Sequence, residues 1–127
     1  AALAQDDDAI RATVMDYVEG WFQSDPERME RAFHPSLFKC RVRSLGDSGV
    51  EVLDIVDAGT MITYAGNNQA WVEGKEGFKK MEIVYQDGRI AVVHAISSEF
   101  YDVCGLVKLN GEWKILQVLW GGNERTE

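Results

Sequence analysis

Residues 78–120 read FKKMEIVYQDGRIAVVHAISSEFYDVCGLVKLNGEWKILQVLW, and this stretch decides the fold. Two dipeptides punctuate it. Asp87-Gly88 and Asn110-Gly111 favour type I′ turns, whose two central residues both need a positive φ. Around them lie runs rich in β-branched and aromatic residues. The spacing predicts four strands: Phe78 to Gln86, Arg89 to Ser98, Phe100 to Leu109 and Glu112 to Trp120. Ser97-Ser98-Glu99 marks a tight bend, and Gly121-Gly122 stops the last strand. Four consecutive antiparallel strands form a meander. Alternation sends Tyr101, Val103 and Val107 to one face and Phe100, Cys104 and Leu106 to the other. In the last strand Trp113, Ile115 and Leu119 oppose Leu116, Val118 and Trp120. Both faces carry large apolar groups. One can pack on helices; the other needs a partner, and a two-fold homodimer through that outer face is the simplest one.

Upstream the pattern is helical. Ile10, Val14, Tyr17, Val18, Trp21 and Phe22 recur at three- and four-residue spacing, one apolar stripe on a helix from about residue 8 to 23. Asp6, Asp7 and Asp8 stand ready to cap it. Ser24-Asp25-Pro26-Glu27 offers two caps for a second, short helix: Ser24 with Glu27 at capping-box spacing, or Asp25 before Pro26. Met29, Ala32 and Phe33 face inward, and Pro35 ends the helix through His34. Leu37 to Arg43 reads as a short strand, and Gly46 to Gly49 as a turn. Val50 to Gly66 fits strand or helix. Helices before a meander mean α+β rather than a parallel α/β sheet. Helices shorter than the sheet is wide would leave a cone with an open mouth, a ready ligand site.

The chain has 127 residues, which makes one domain: a tail at 1–7, the domain at 8–121 and a tail at 122–127. An apolar fraction of 46% and a charged fraction of 27% exclude collagen-like, disordered and disulfide-scaffold classes. No apolar run approaches the ~20 residues that span a bilayer. A net charge of -8 argues against nucleic acid or an anionic membrane as partner. Ala2-Leu3-Ala4 has the form of a signal-peptidase site, so the chain is read as cytoplasmic or as an exported bacterial protein. Cys40 and Cys104 read as two independent small hydrophobes, with a single long-range disulfide as the other reading.

Tyr17 to Trp21, Asp25 to Arg31 and His34-Pro35, together with Leu106 to Ile115 and Val118 to Trp120, resemble the nuclear-transport-factor-2-like (NTF2-like, SnoaL-like, cystatin-like) superfamily. Within it the chain looks like the putative lumazine-binding branch. The resemblance covers nearly the whole chain. It implies a cystatin-like cone, with about three N-terminal helices packed on a strongly bent antiparallel sheet, usually dimeric. It also implies a third helix near residues 51–65. Isomerases, dehydratases, cyclases and plain binding modules share this fold, so fold does not give function.

Several residues could carry chemistry. Asp102 reads either as a general base raised by desolvation or as an exposed or dimer-face aspartate. His94 on the neighbouring strand would stand roughly opposite Asp102 if the hairpin turns near residues 98–100, giving a catalytic dyad or a satisfied polar pair. Tyr17 and Trp21, one turn apart, could wall the cone, with the Tyr17 phenol as an oxyanion donor. Tyr64, Trp71, Tyr85, Tyr101 and Trp120 would extend that wall. His34 reads as a partner for the last carbonyls of the second helix. Lys39, Arg41 and Arg43 alternate along one strand face, as anion ligands or as a charged, solvated edge. His34 and His94 lie 60 positions apart, away from other ligands at suitable spacing, so no metal is expected, and no cofactor. The residues thus point to an aromatic-lined pocket for a small, largely apolar or aromatic molecule. The alternatives are a cofactor-free isomerase, dehydratase or cyclase using Asp102, His94 and Tyr17, and an interaction module using the outer sheet face.

Overall fold

The computed structural model describes residues 2–123. Helix α1 (Ala2–Phe22) begins inside the expected tail. Asp6 is the reason: it is no cap but a buried anchor, accepting hydrogen bonds from Trp113 Nε1 at 2.9 Å and Lys108 Nζ at 3.0 Å. The stripe of Ile10, Val14, Tyr17 and Val18 is fully buried, as its spacing requires. Of the two caps on offer for α2 (Pro26–Ala32), Asp25 is used, accepting from Arg28 N at 3.1 Å. Ser24 sits instead at φ 53° and donates its hydroxyl to Asn68. Helices α1 and α2 touch at Gly20, where a Cβ would stand 3.0 Å from Met29 N, so only glycine permits this approach.

The next segment departs from expectation. Strand β1 (Phe33–Ser44) starts directly after α2 and contains His34 and Pro35. His34 therefore caps nothing; its Nδ1 accepts from Ser36 N at 3.0 Å, and Phe33 N closes the helix on Glu30 O. The helix expected over 51–65 divides. Glu51–Asp57 is strand β2, and only Ala58–Ala65 is helix α3, with Asp57 as its cap. A four-residue helix, α4 (Gln69–Val72), follows.

The meander has its four expected strands: β3 (Phe78–Gln86), β4 (Ile90–Ser97), β5 (Phe100–Leu109) and β6 (Glu112–Gly122). Asn110 and Gly111 have φ of 53° and 82°, the type I′ pair. The other hairpin is not type I′: Gly88 has φ 87° but Asp87 does not lie at positive φ. The Asp87 carboxylate accepts instead from Arg89 N and Ile90 N, each at 2.9 Å, so the loop takes in Arg89 and β4 starts one residue late. The sheet order is β2-β1-β6-β5-β4-β3. All neighbours are antiparallel except β1 and β6, which run parallel, so the sheet is mixed rather than antiparallel throughout. Nor is it strongly curled. Strand β6 is irregular where Gly105 pairs Gln117 but Leu106 pairs Ile115. The extra residue, Leu116, reverses the parity of the strand. Trp113, Ile115, Val118 and Trp120 consequently share the helix-facing side, and Leu119 turns outward, which corrects the simple alternation. The expected tail at 122–127 is also shortened. Gly122 belongs to β6, Asn123 Nδ2 donates to Ser97 O and Phe100 O, and the rest lies outside the described residues.

The core lies between α1–α3 and the inner sheet face. Ile10, Val14, Met29, Val93, Leu106, Ile115 and Val118 are fully or almost fully buried there. Each such side chain contributes about 1.5–3 kcal/mol of transfer free energy. Cys104 is buried on this face and Cys40 on the other, and both are free thiols. No helix among the described residues is long and apolar enough to cross a membrane.

Candidate functional site

Lys39 is the residue that organises the inner site. Strand β1 is not an edge: β2 covers one side and β6 the other. Lys39 pairs with Val118 and so turns into the core, where it is 7% exposed. The solvated-edge reading of this strand fails at this position. Tyr17 from α1 and Asp102 from β5 meet Lys39. Lys39 Nζ donates to Tyr17 Oη at 2.7 Å, and Tyr17 Oη donates to Asp102 Oδ1 at 3.0 Å. Nζ and Asp102 Oδ1 are 4.0 Å apart. Three rings surround the ammonium: Trp120, Tyr17 and Phe100, with centroids at 4.7, 5.2 and 5.8 Å.

Dryness governs the chemistry of the trio. Burial pushes the Asp102 carboxyl up, against the Lys39 charge and the Tyr17 hydrogen bond, which favour ionisation. Burial lowers Lys39, against the opposing pull of Asp102. Burial and the neighbouring Asp102 charge raise Tyr17 well above the usual phenol range. Each group is pushed toward its uncharged form.

Beside the trio lies a void of about 10 Å³, lined by Tyr17, Trp21, Lys39, Ser97, Phe100 and Asp102. It has room for one water-sized group. Two of its walls carry buried polar atoms, Ser97 Oγ and Trp21 Nε1, with no hydrogen-bond partner among the described residues. The wide interior of a cone is therefore absent. The roomy space lies further out, at the end of the sheet. There Trp21, Tyr64, Asn67, Asn68, Trp71 and Phe100 line an open mouth of about 440 Å³. Trp71 stacks on Phe100 at 5.5 Å and 17°, and Trp21 meets both edge-on. Asn68, 8% exposed, holds the segment carrying Trp71 to α1 by donating to Trp21 O at 2.9 Å. Inner void and outer mouth share Trp21 and Phe100 as a common wall. A more polar cleft of about 600 Å³ adjoins the mouth at Tyr64 and is lined by Arg41, Asp54, Asp57, Thr60 and Trp120.

The expected residues thus scatter in an instructive way. Tyr17 and Asp102 come together; Trp21, Tyr64 and Trp71 line the mouth; Trp120 covers Lys39. Three do not join them. Tyr85 is exposed near the β3–β4 turn, where its hydroxyl donates to Asp87 Oδ2 at 3.0 Å. Asp102 pairs with Ala95, and His94 pairs with Val103, so the expected opposition of His94 and Asp102 is off by one residue. One residue reverses the face. His94 lies on the outer side, in a cleft with Arg11, Lys80 and Glu82. Tyr101, beside Asp102, is likewise turned to the outer face, where its ring lies over Gly121. Phe100, Ser97 and Asn68 were not singled out from sequence. Phe100 at least follows from alternation, since it shares the face of Asp102.

Similar solved structures support the same architecture. An NTF2-like protein of unknown function from Shewanella baltica is 18% identical, with 94% of each chain covered and a TM-score of 0.68. One from Silicibacter pomeroyi is 17% identical over 94% of this chain and 98% of that one, with a TM-score of 0.69. An NTF2-like protein with a cystatin-like fold from Novosphingobium aromaticivorans is 9% identical over 96% and 84%, with a TM-score of 0.65. At these identities the likeness shows the fold alone. No curated protein matches the chain. A family model described as putative lumazine-binding matches residues 5–121, and the chain belongs to that family.

Proposed function

We propose that the protein binds a small, flat, largely apolar molecule in the mouth between α1, α4 and β5. The observation that carries this reading is the Trp71–Phe100 stack. Trp71 remains 42% exposed, a large aromatic face left open to water beside a cavity sized for a bicyclic ring system. Asn67 and Asn68 at the rim add polar groups for orientation. The family description makes a lumazine the first ligand to try. Titration with a lumazine and with 2-methoxynaphthalene should quench tryptophan fluorescence saturably. Trp71→Ala should weaken the binding about tenfold, the worth of one stacking contact, while leaving the urea midpoint nearly unchanged. Equal affinity for wild type and variant, or no saturable quenching by either compound, defeats the reading.

A second reading, cofactor-free proton transfer with Asp102 as base and Tyr17 as donor, draws support from the upward push on Asp102 and its contact with Tyr17. The outer face supports a homodimer. Phe38, Val42, Leu53, Ile55 and Leu119 are 41–65% exposed on three adjacent strands, β2, β1 and β6, and a two-fold axis would cover all of them with one operation. Light scattering at micromolar concentration should give twice the chain mass; a monomer mass removes the dimer.

A further inference from the structure

Lys39 is a buried amine for which packing alone gives no reason. We propose that Lys39 is a carbonyl-trapping nucleophile, forming an imine with an aromatic aldehyde whose ring occupies the mouth. This deepens the binding reading and rests on it.

Three features of the chamber carry the inference. First, the hydrogen bonds form a proton wire. Nζ donates to Tyr17 Oη, and Tyr17 Oη donates to Asp102 Oδ1. Moving one proton along each bond converts ammonium and carboxylate into free amine and carboxylic acid, with Tyr17 unchanged. That is the pair that imine formation needs. Burial favours this shift at both ends, since Lys39 is lowered and Asp102 raised. Second, the aromatic cage of Trp120, Tyr17 and Phe100 excludes water, which would otherwise hydrolyse the product. Third, the void beside Nζ is one oxygen in size and carries a hydroxyl, Ser97 Oγ, that has no partner among the described residues, on a residue only 2% exposed. It can seat the single oxygen atom that the reaction must expel.

The steps balance. The Nζ lone pair adds to the carbonyl carbon, and the C=O π pair moves to oxygen. A proton passes from nitrogen to that oxygen, giving a neutral carbinolamine. Asp102 then protonates the hydroxyl. The C–O bond breaks, water leaves into the void, and the nitrogen lone pair forms C=N. The products are an iminium on Lys39, one water and the Asp102 carboxylate. Trp21 and Phe100, whose ring centroids lie 6.3 Å apart, separate mouth from void, so imine formation requires these two rings to part and admit the carbonyl while the aldehyde's ring stays against Trp71.

Reductive trapping decides the matter. The wild-type protein is incubated with 6-methoxy-2-naphthaldehyde and cyanoborohydride near neutral pH, then analysed by intact mass and peptide mapping. The expected result is one adduct, on Lys39, forming faster than on the other five lysines combined. Lys39→Arg keeps the cation and should lose this adduct while still binding 2-methoxynaphthalene. The proposal is overturned if adducts fall only on exposed lysines, or if Lys39→Arg is labelled as fast as wild type. Saturable binding of 2-methoxynaphthalene without a Lys39 adduct sinks the imine and leaves the binding reading intact. Absence of both sinks the two together.

Discussion

Asp6 and Asp102 are built from the same parts and behave in opposite ways. Each is a buried carboxylate, 8% and 4% exposed. Each accepts a hydrogen bond from an aromatic side chain, Trp113 or Tyr17, and each has a lysine beside it. Yet Asp6 is lowered, by the Trp113 hydrogen bond first and Lys108 second, while burial raises Asp102. Burial makes the first difference, since it leads at Asp102 and ranks behind both hydrogen bonds at Asp6, and the placing of the lysines adds to it. Lys108 bonds Asp6 directly at 3.0 Å, and its side chain is 36% exposed, so its own charge stays solvated. Lys39 is dry, 9% exposed at the side chain, and spends its short hydrogen bond on Tyr17 rather than on the carboxylate. An ion pair whose cation keeps its water escapes much of the desolvation penalty, and gains little beyond that. Where both are dried, the cost persists, and a function is the natural reason to bear it.

The largest effect should come from breaking the dry pair. Lys39→Met leaves Asp102 buried without its cation. The loss should be roughly 3 kcal/mol, the low end for such a break, because Asp102 can take its protonated form. Asp102→Leu should cost a similar amount. The double variant, with the polar pair replaced by apolar groups, should recover most of either loss in urea unfolding at neutral pH. Losses that simply add would show that the two groups do not depend on each other. Lys108→Met, at the wet pair, should cost much less than Lys39→Met, and a reversal of that order breaks the comparison.

These two aspartates also mark how far the sequence could be read. The meander was legible because its signals are local: Asp87-Gly88 and Asn110-Gly111 each fix a turn, and alternation fixes the faces on either side. Asp102 and Tyr17 could be chosen as candidates for the same reason. Lys39 could not. Its burial follows from β1 lying parallel to β6, a pairing between residues almost eighty positions apart that no turn specifies. Taken alone, a strand with Lys39, Arg41 and Arg43 on one face looks solvated, and for Arg41 and Arg43, which reach Asp54, it largely is. His94 failed by one residue, since the placing of the β4–β5 bend sets the register. Two further signals were present but unused. Trp113 and Ile115 are followed by Val118 and Trp120, a change of parity that marks the bulge at Leu116. Asp57 before Ala58-Gly59-Thr60 marks a helix start, which would have divided the 51–65 segment into strand and helix.

The smallest effect is a tilt in stability with pH, and here the two carboxylates should pull in opposite directions. Asp6 is lowered in the folded state, so its contribution is complete above the unfolded value of about 3.9 and is lost as pH falls through the folded value. Asp16 acts in the same sense: burial opposes its ionisation, but the Arg28 and Arg31 guanidiniums prevail. Asp102 is raised, so its protonated form suits the fold. Its contribution is complete below about 3.9 and is lost as pH rises through the folded value. Acidification thus removes support at Asp6 while relieving Asp102. Urea midpoints measured between about pH 3 and 7 should therefore diverge in the two amide variants. Asp6→Asn should flatten the acid loss seen in wild type, and Asp102→Asn should steepen it. Slopes that move in the same direction in both variants would mean that the two sites are electrostatically alike, and that the dryness of Lys39 does not set Asp102 apart.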